Sequence, residues 1–145
     1  MSYRVGVIGC TGVGTQHASG LVGLTDAELV AGCDLSSSIL ERFQEHWAEE
    51  WPDMATYTDH RQMLAEARLD IVTVATSDHK HADLVVDAAQ AGVKGIFCEK
   101  PWRFFFHARL SFLTNDLSQF RACPSFCHAW MDASAGVFEP NDVGH

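Results

Sequence analysis

Residues 3–14 read YRVGVIGCTGVG, a β-branched run that ends directly in a glycine-rich turn. Further short apolar runs lie at Glu28–Asp34, Ile71–Ala75 and Gly95–Cys98, and segments with helical apolar spacing separate them. Strands that alternate with helices in this way predict right-handed βαβ units and a parallel sheet. We therefore predict an α/β fold, with a doubly wound parallel sheet in three αβα layers.

Four polar or glycine-rich segments directly follow predicted strands: residues 9–14, Asp34, residues 76–81 and residues 99–101. In open parallel sheets, ligands bind beyond the carboxyl ends of the strands, where the strand order reverses. We therefore expect the functional residues in these four segments.

Helix boundaries are predicted at three further positions. Ser36 is expected to cap the N-terminus of a helix, and Asp59 with Gln62 is expected to form a capping box. Gly92 follows a predicted helix at His79–Ala91, where a C-terminal glycine belongs.

The glycine-rich turn approximates the dinucleotide fingerprint G-x-G-x-x-G. Gly9 and Gly14 fit its first and third positions, which make the turn and allow close packing of helix on strand, but Thr11 stands at the second. The Thr11 side chain either crowds a bound diphosphate or is accommodated by a local shift at Gly12. A glycine-rich turn that binds no ligand is the alternative.

Asp34 strengthens the dinucleotide interpretation, because it ends the second strand twenty residues after Gly14. A carboxylate there can accept hydrogen bonds from the ribose hydroxyls of the adenosine. It would repel a 2′-phosphate, and residues 35–38 contain no arginine to receive one. We therefore expect NAD rather than NADP; an Asp34 that merely caps a helix is the alternative.

Residues 69–81, LDIVTVATSDHKH, and residues 99–101, EKP, carry a family resemblance together with the glycine turn. They resemble the N-terminal domain of the Gfo/Idh/MocA family of NAD(P)-dependent oxidoreductases, in which a strand ends in Thr-Pro-Asn, a His follows three residues on, and Glu-Lys-Pro comes later. The positions that match are Thr76, His81, Glu99, Lys100 and Pro101. Ser77 and Asp78 replace the family's Pro and Asn, and the resemblance covers about residues 3–101.

The resemblance implies a Rossmann-type sheet of strand order 3-2-1-4-5 and hydride transfer between NAD(P) and a sugar, polyol or related small molecule. It implies that Lys100, held by Glu99 and Pro101, is catalytic and places a cation near the nicotinamide and the substrate oxygen; a solvated surface lysine is the alternative. The residues expected to bind the cofactor are Gly9, Thr11, Gly12, Val13, Gly14, Asp34, Thr76, Ser77, His81 and Glu99.

Composition excludes several classes of partner. The 145 residues carry a net charge of −9, which disfavours nucleic acid and anionic membrane surfaces. Five cysteines, an odd number, favour a reducing cytosol over a disulfide framework. His79 and His81 do not share a helix face, and the spacing of Cys123, Cys127 and His128 fits no common zinc pattern, so no metal is expected.

Residues 102–145 differ in composition from the rest of the chain, with seven of the nine phenylalanines, no lysine and no isoleucine. The helix and the α+β domain that follow Glu-Lys-Pro in the family are not recognisable there. We therefore expect an NAD(P)-binding domain at 1–101 and an atypical aromatic-rich tail at 102–145, produced by a change of reading frame or belonging to a genuine short form.

On this interpretation the family's second domain is absent, and the chain alone should bind cofactor with little or no turnover. A non-catalytic NAD-binding regulatory or subunit-docking module and a truncated product without function are the alternatives. The sequence leaves self-association into a homo-oligomer open.

Overall fold

The computed structural model describes residues 2–99. These residues form five strands, four α-helices and one 3-10 turn at Asp78–Lys80. In chain order the elements are β1 (Tyr3–Ile8), α1 (Val13–Ser19), β2 (Ala27–Cys33), α2 (Ser37–Trp47), β3 (Ala55–Tyr57), α3 (His60–Glu66), β4 (Ile71–Val74), α4 (His81–Gln90) and β5 (Gly95–Cys98). Within residues 2–99, no helix is both long enough and apolar enough to cross a bilayer.

All five strands are parallel and lie in the order β3-β2-β1-β4-β5, which confirms the predicted sheet and its strand order. No strand was predicted from the residues of Ala55–Tyr57, which form the third strand. It is only three half-buried residues long and pairs with β2 at the edge of the sheet. An edge strand this short needs no long apolar run, so its position follows from its neighbours.

The helices cover both faces of the sheet, as a doubly wound fold requires. Successive residues of β1 face opposite ways: Val7 packs with α1 and α2, whereas Ile8 packs with α3 and α4. The side chains that α1 and α2 bury are Ala18, Leu40, Phe43 and Trp47. Those that α3 and α4 bury are Met63, Leu84, Val85 and Ala88.

The predicted helix ends are only partly right. Gly92 has a φ of 80° and ends α4: its N–H donates to the Ala89 carbonyl at 3.1 Å, and the Val93 N–H donates to the Ala88 carbonyl at 3.3 Å. The helix itself starts at His81 rather than at His79, because a 3-10 turn precedes it.

Of the two predicted N-caps, Asp59 makes a cap hydrogen bond and Ser36 does not. The Asp59 carboxylate accepts the Arg61 N–H at 2.9 Å, but Gln62 donates to Glu66 instead of completing the capping box. Ser36 does precede α2, yet its hydroxyl makes no cap hydrogen bond and lies 2.9 Å from the hydroxyl of Ser38. The hydrogen bond predicted for Ser36 is therefore wrong, although the start of the helix is right.

Candidate functional site

The carboxyl ends of the strands form one continuous edge. The Gly9 N–H donates to the Cys33 carbonyl at 2.8 Å, which joins the ends of β1 and β2. The Ala75 N–H donates to Ile8 at 2.8 Å, and the Glu99 N–H donates to Val74 at 3.1 Å. The described parts of the four predicted segments therefore lie side by side along this edge.

The glycine turn brings β1, β4 and α1 closer together than side chains would allow. Gly9 has a φ of 93°, and a Cβ there would overlap the Ala75 carbonyl and lie 3.2 Å from the Cγ2 methyl of Thr76. A Cβ at Gly14 would overlap the Gly9 carbonyl oxygen. Both ends of the turn therefore require glycine for steric reasons.

The middle of the turn is open to solvent. Gly12 has a φ of 43°, Thr11 and Val13 are exposed, and a Cβ at Gly12 would meet no atom within 4 Å. The Gly14 N–H donates to Thr11 at 2.8 Å, whereas the N–H groups of Thr11, Gly12 and Val13 donate to no acceptor within residues 2–99. Backbone donors in such a turn can bind an anionic ligand.

The Asp34 carboxylate is attached to this turn. Its Oδ2 accepts the Cys10 N–H at 3.1 Å and its Oδ1 accepts the Ser36 N–H at 3.1 Å, while the Asp34 N–H donates to Tyr57 at 3.1 Å. Each carboxylate oxygen can accept more than one hydrogen bond. A half-buried acceptor with spare capacity thus stands beside the open backbone donors.

The two cysteines beside Asp34 are not nucleophiles. Burial raises the pKa of the Cys10 thiol to about 12, with the charge of Asp34 adding to the effect. Burial and the same carboxylate also raise the pKa of Cys33 to about 12. Both thiols stay protonated at neutral pH, and neither Cys10 nor Cys33 is in a disulfide.

The buried side chain of His81 is hydrogen-bonded to the turn that follows β4. This side chain is only 1% exposed, and its Nε2 donates to the Thr76 carbonyl at 2.8 Å. Thr76 is half-buried and Ser77 is exposed, so the turn presents both residues at the edge that carries the glycine turn. The described contact of His81 is therefore with the backbone of the turn.

Glu99 follows β5 and makes a contact that the sequence analysis does not predict. Its Oε1 lies 3.0 Å from Nε2 of His17 on α1. His17 stands three residues after Gly14, on the same helix face, and that spacing is the sequence signal that could have identified it. Lys100, Pro101 and the predicted tail lie outside the described residues.

Within residues 2–99, no group of three or more His, Cys, Asp or Glu side chains is arranged to hold a metal ion. The predicted tail cluster of Cys123, Cys127 and His128 lies outside that range. A cavity of about 510 Å³ lies between α2, β3 and α3, and none of the predicted cofactor-binding residues lines it. The candidate site is therefore the open edge rather than this cavity.

Comparison with known families gives a match over residues 3–107, to the Gfo/Idh/MocA model described as an oxidoreductase family with an NAD-binding Rossmann fold. The matched segment includes every described residue of the candidate site. It also extends past the domain boundary predicted at residue 101.

Individual proteins give the same picture. The chain is 36% identical over 98 residues to myo-inositol 2-dehydrogenase of Thermotoga maritima, covering 68% of this chain and 28% of the relative. It is 35% identical over 100 residues to D-apiose dehydrogenase of Paraburkholderia graminis, covering 69% of this chain and 25% of the relative.

Among solved structures, the fold is similar to that of myo-inositol dehydrogenase from Lactobacillus casei in complex with NAD(H) and myo-inositol. The TM-score is 0.63 at 30% identity, over 70% of this chain and 29% of that one. The chain thus spans less than a third of the length of these relatives.

Proposed function

The chain belongs to the Gfo/Idh/MocA family of oxidoreductases, and we propose that it carries the NAD(H)-binding part of an enzyme that oxidises a polyol or sugar hydroxyl. The substrate class is supported by the relatives named for inositol and D-apiose. The observation that supports the cofactor assignment is the hydrogen bond from Cys10 to Asp34: it holds the carboxylate against the glycine turn, where that carboxylate would accept from a ribose hydroxyl.

The described residues fit an adenine dinucleotide. The free backbone N–H groups of Thr11, Gly12 and Val13 would bind the diphosphate, because they form the open side of a turn without side-chain obstruction at Gly12. The Asp34 carboxylate would accept hydrogen bonds from the two ribose hydroxyls. A 2′-phosphate there would meet a negative charge, so NAD is the expected form of the cofactor.

Catalysis is assigned to the nicotinamide side of the site. NAD⁺, when bound, would supply the hydride acceptor: the carbon that bears the substrate hydroxyl would lose hydride to it, and the hydroxyl proton would pass to water, leaving a carbonyl. Lys100, the residue after Glu99, would stabilise the negative charge that develops on that oxygen. Thr76 and Ser77 would contact the cofactor, and His81 would hold their turn in place.

The wider setting is part of the same proposal. The buried free thiols of Cys10 and Cys33 suit a reducing cytosol. The proposed partners are the dinucleotide and the polyol or sugar.

The decisive test compares NADH and NADPH binding by nicotinamide fluorescence in the wild type, Asp34→Asn and Asp26→Asn. The wild type should prefer NADH, and Asp34→Asn should weaken NADH about tenfold, because hydrogen bonds to a charged acceptor are lost. The same substitution should bring the dissociation constants of NADH and NADPH closer together. Asp26, which is exposed, serves as the control for the substitution.

Equal NADH binding by the wild type and Asp34→Asn would contradict the cofactor assignment. The hydride-transfer assignment is tested separately, by following NADH formation from NAD⁺ with inositols and sugars. This chain alone is expected to bind NADH with little or no turnover of any of them, and sustained NADH formation would overturn that expectation.

A further inference from the structure

His17 joins two parts of the candidate site that are distant in sequence. It lies in α1, directly after the glycine turn, and its Nε2 is 3.0 Å from Oε1 of Glu99, which follows β5. The carboxylate can only accept, so the imidazole Nε2 carries the hydrogen. The Glu99 backbone is held as well, since its N–H donates to Val74 at the end of β4.

The His17 ring is packed as well as hydrogen-bonded. Its side chain is 12% exposed, and the ring meets Phe97 edge to face, with 4.7 Å between centroids and an interplanar angle of 77°. The other ring nitrogen, Nδ1, is buried and has no hydrogen-bond partner within residues 2–99. Of the two ring nitrogens, only Nε2 has a partner within residues 2–99, and that partner is Glu99.

Fold stability alone does not require an imidazole at this position. A phenylalanine could keep the contact with Phe97 and would bury no unpartnered nitrogen, which is costly in a protein interior. A hydrogen-bond donor at this position, unlike a phenylalanine, fixes the orientation of the Glu99 carboxylate. The contact therefore points to the site rather than to the core.

We propose that His17 is a positioning residue for the nicotinamide side of the site: by fixing Glu99 to α1, it restricts where the next residue, Lys100, can be placed relative to the glycine turn. This inference rests on the proposed function. It makes α1 the common support of the diphosphate-binding turn and of the chain that leads into Lys100. Loss of the contact should therefore affect only ligands that possess a nicotinamide.

The test measures the dissociation constants of NADH and of ADP-ribose, which lacks the nicotinamide, by calorimetry on the full chain. His17→Phe should weaken NADH about three- to tenfold, the effect of losing one hydrogen bond, and leave ADP-ribose unchanged. His17→Gln should restore NADH binding, because the amide nitrogen of Gln can donate in place of Nε2. Thermal unfolding of each variant reports any loss of the fold.

A double-substitution cycle tests whether the effect passes through Lys100. Lys100→Met should also weaken NADH and spare ADP-ribose. If His17 acts by positioning Lys100, His17→Phe should add little once the lysine is gone. Independent, additive losses would overturn the positioning role.

Other outcomes would also overturn it. Equal weakening of NADH and ADP-ribose binding by His17→Phe would assign His17 to the glycine turn. Unchanged binding of both ligands would show that the hydrogen bond has no effect on binding. Failure of His17→Gln to restore NADH binding would show the same. If His17→Phe unfolds, Glu99→Met, which has no oxygen to accept from Nε2, replaces it, with the same NADH-selective loss expected. A wild type that binds neither ligand would overturn the proposed function together with this inference, whereas the other outcomes overturn this inference alone.

Discussion

Gly14 carries the tightest steric constraint of the glycine turn. Its Cα faces the carbonyl oxygen of Gly9 so closely that any β-carbon would overlap that atom. The contact is between backbone groups, which cannot move aside as the end of a flexible side chain can. The identity of this residue therefore fixes how closely α1 approaches β1.

We predict that Gly14→Ala lowers the free energy of unfolding by about 1–3 kcal/mol, because the backbone must shift to admit the methyl group. NADH binding should fall as well, since the shift moves the turn. Gly20→Ala is the matched control: its φ is −67°, and its new methyl would make ordinary contacts of 3.4 and 3.7 Å. Urea unfolding measures both variants, and equal stability of the two would contradict the steric argument.

Helices α3 and α4 are linked by a charged cluster on the face of the sheet opposite α1. His60 Nε2 lies 2.7 Å from Asp87 Oδ2, and Arg61 Nε donates to the same oxygen at 3.1 Å. Partial burial by itself would raise the pKa of Asp87. The hydrogen bonds and charges of His60 and Arg61 outweigh burial, and the net shift of this pKa is downward.

The lowered pKa of Asp87 gives a pH-dependent stability. Its contribution is complete above the ordinary pKa of an unfolded Asp, about 3.9, and is lost as the pH falls through the lower pKa of the folded state. Asp87→Asn should thus lower the free energy of unfolding by about 1 kcal/mol at pH 7, and the deficit should shrink toward pH 2. Urea unfolding across this range measures it.

Asp53→Asn provides the comparison for Asp87→Asn, because Asp53 is exposed and its side chain makes no hydrogen bond with residues 2–99. It should show little deficit at any pH. A deficit for Asp87→Asn that stays constant from pH 7 to pH 2 would contradict the electrostatic origin.

At the scale of the whole molecule, stability comes from apolar packing on both faces of the sheet. Leu29 of β2 is 1% exposed and packs with Val7, Leu40 and Phe43 beneath α1 and α2. Met63 and Val85 belong to the corresponding cluster on the other face. Each face buries a separate layer, and the sheet couples the two.

Truncation of Leu29 should therefore affect the entire described fold. We predict that Leu29→Ala lowers the free energy of unfolding by about 2–5 kcal/mol, a large part of the roughly 5–15 kcal/mol that domains possess. The same truncation at Leu24, which is 50% exposed, should cost far less. Thermal and urea unfolding of both variants give the comparison, and similar losses at the two leucines would refute the assignment of the core.

The sequence was most informative where the residues of one short segment are enough to predict its structure. The glycine turn, the strand β4 and Gly92 could be recognised from neighbouring residues because a turn, a buried strand and a helix end each impose local requirements. Strand β3 was missed because its three residues are defined by pairing with β2. The cap at Ser36 was misjudged because its hydroxyl has a competing partner in Ser38.

The sequence by itself determined four of the five strands, the glycine turn and the family resemblance, since these depend on residue types at short spacings. Only the tertiary structure decided that Asp34 binds Cys10 across 24 positions and that His17 meets Glu99 across 82. The physical reason is that a parallel sheet brings the ends of distant strands to one edge, and the side chains that meet there depend on register and twist rather than on distance along the chain.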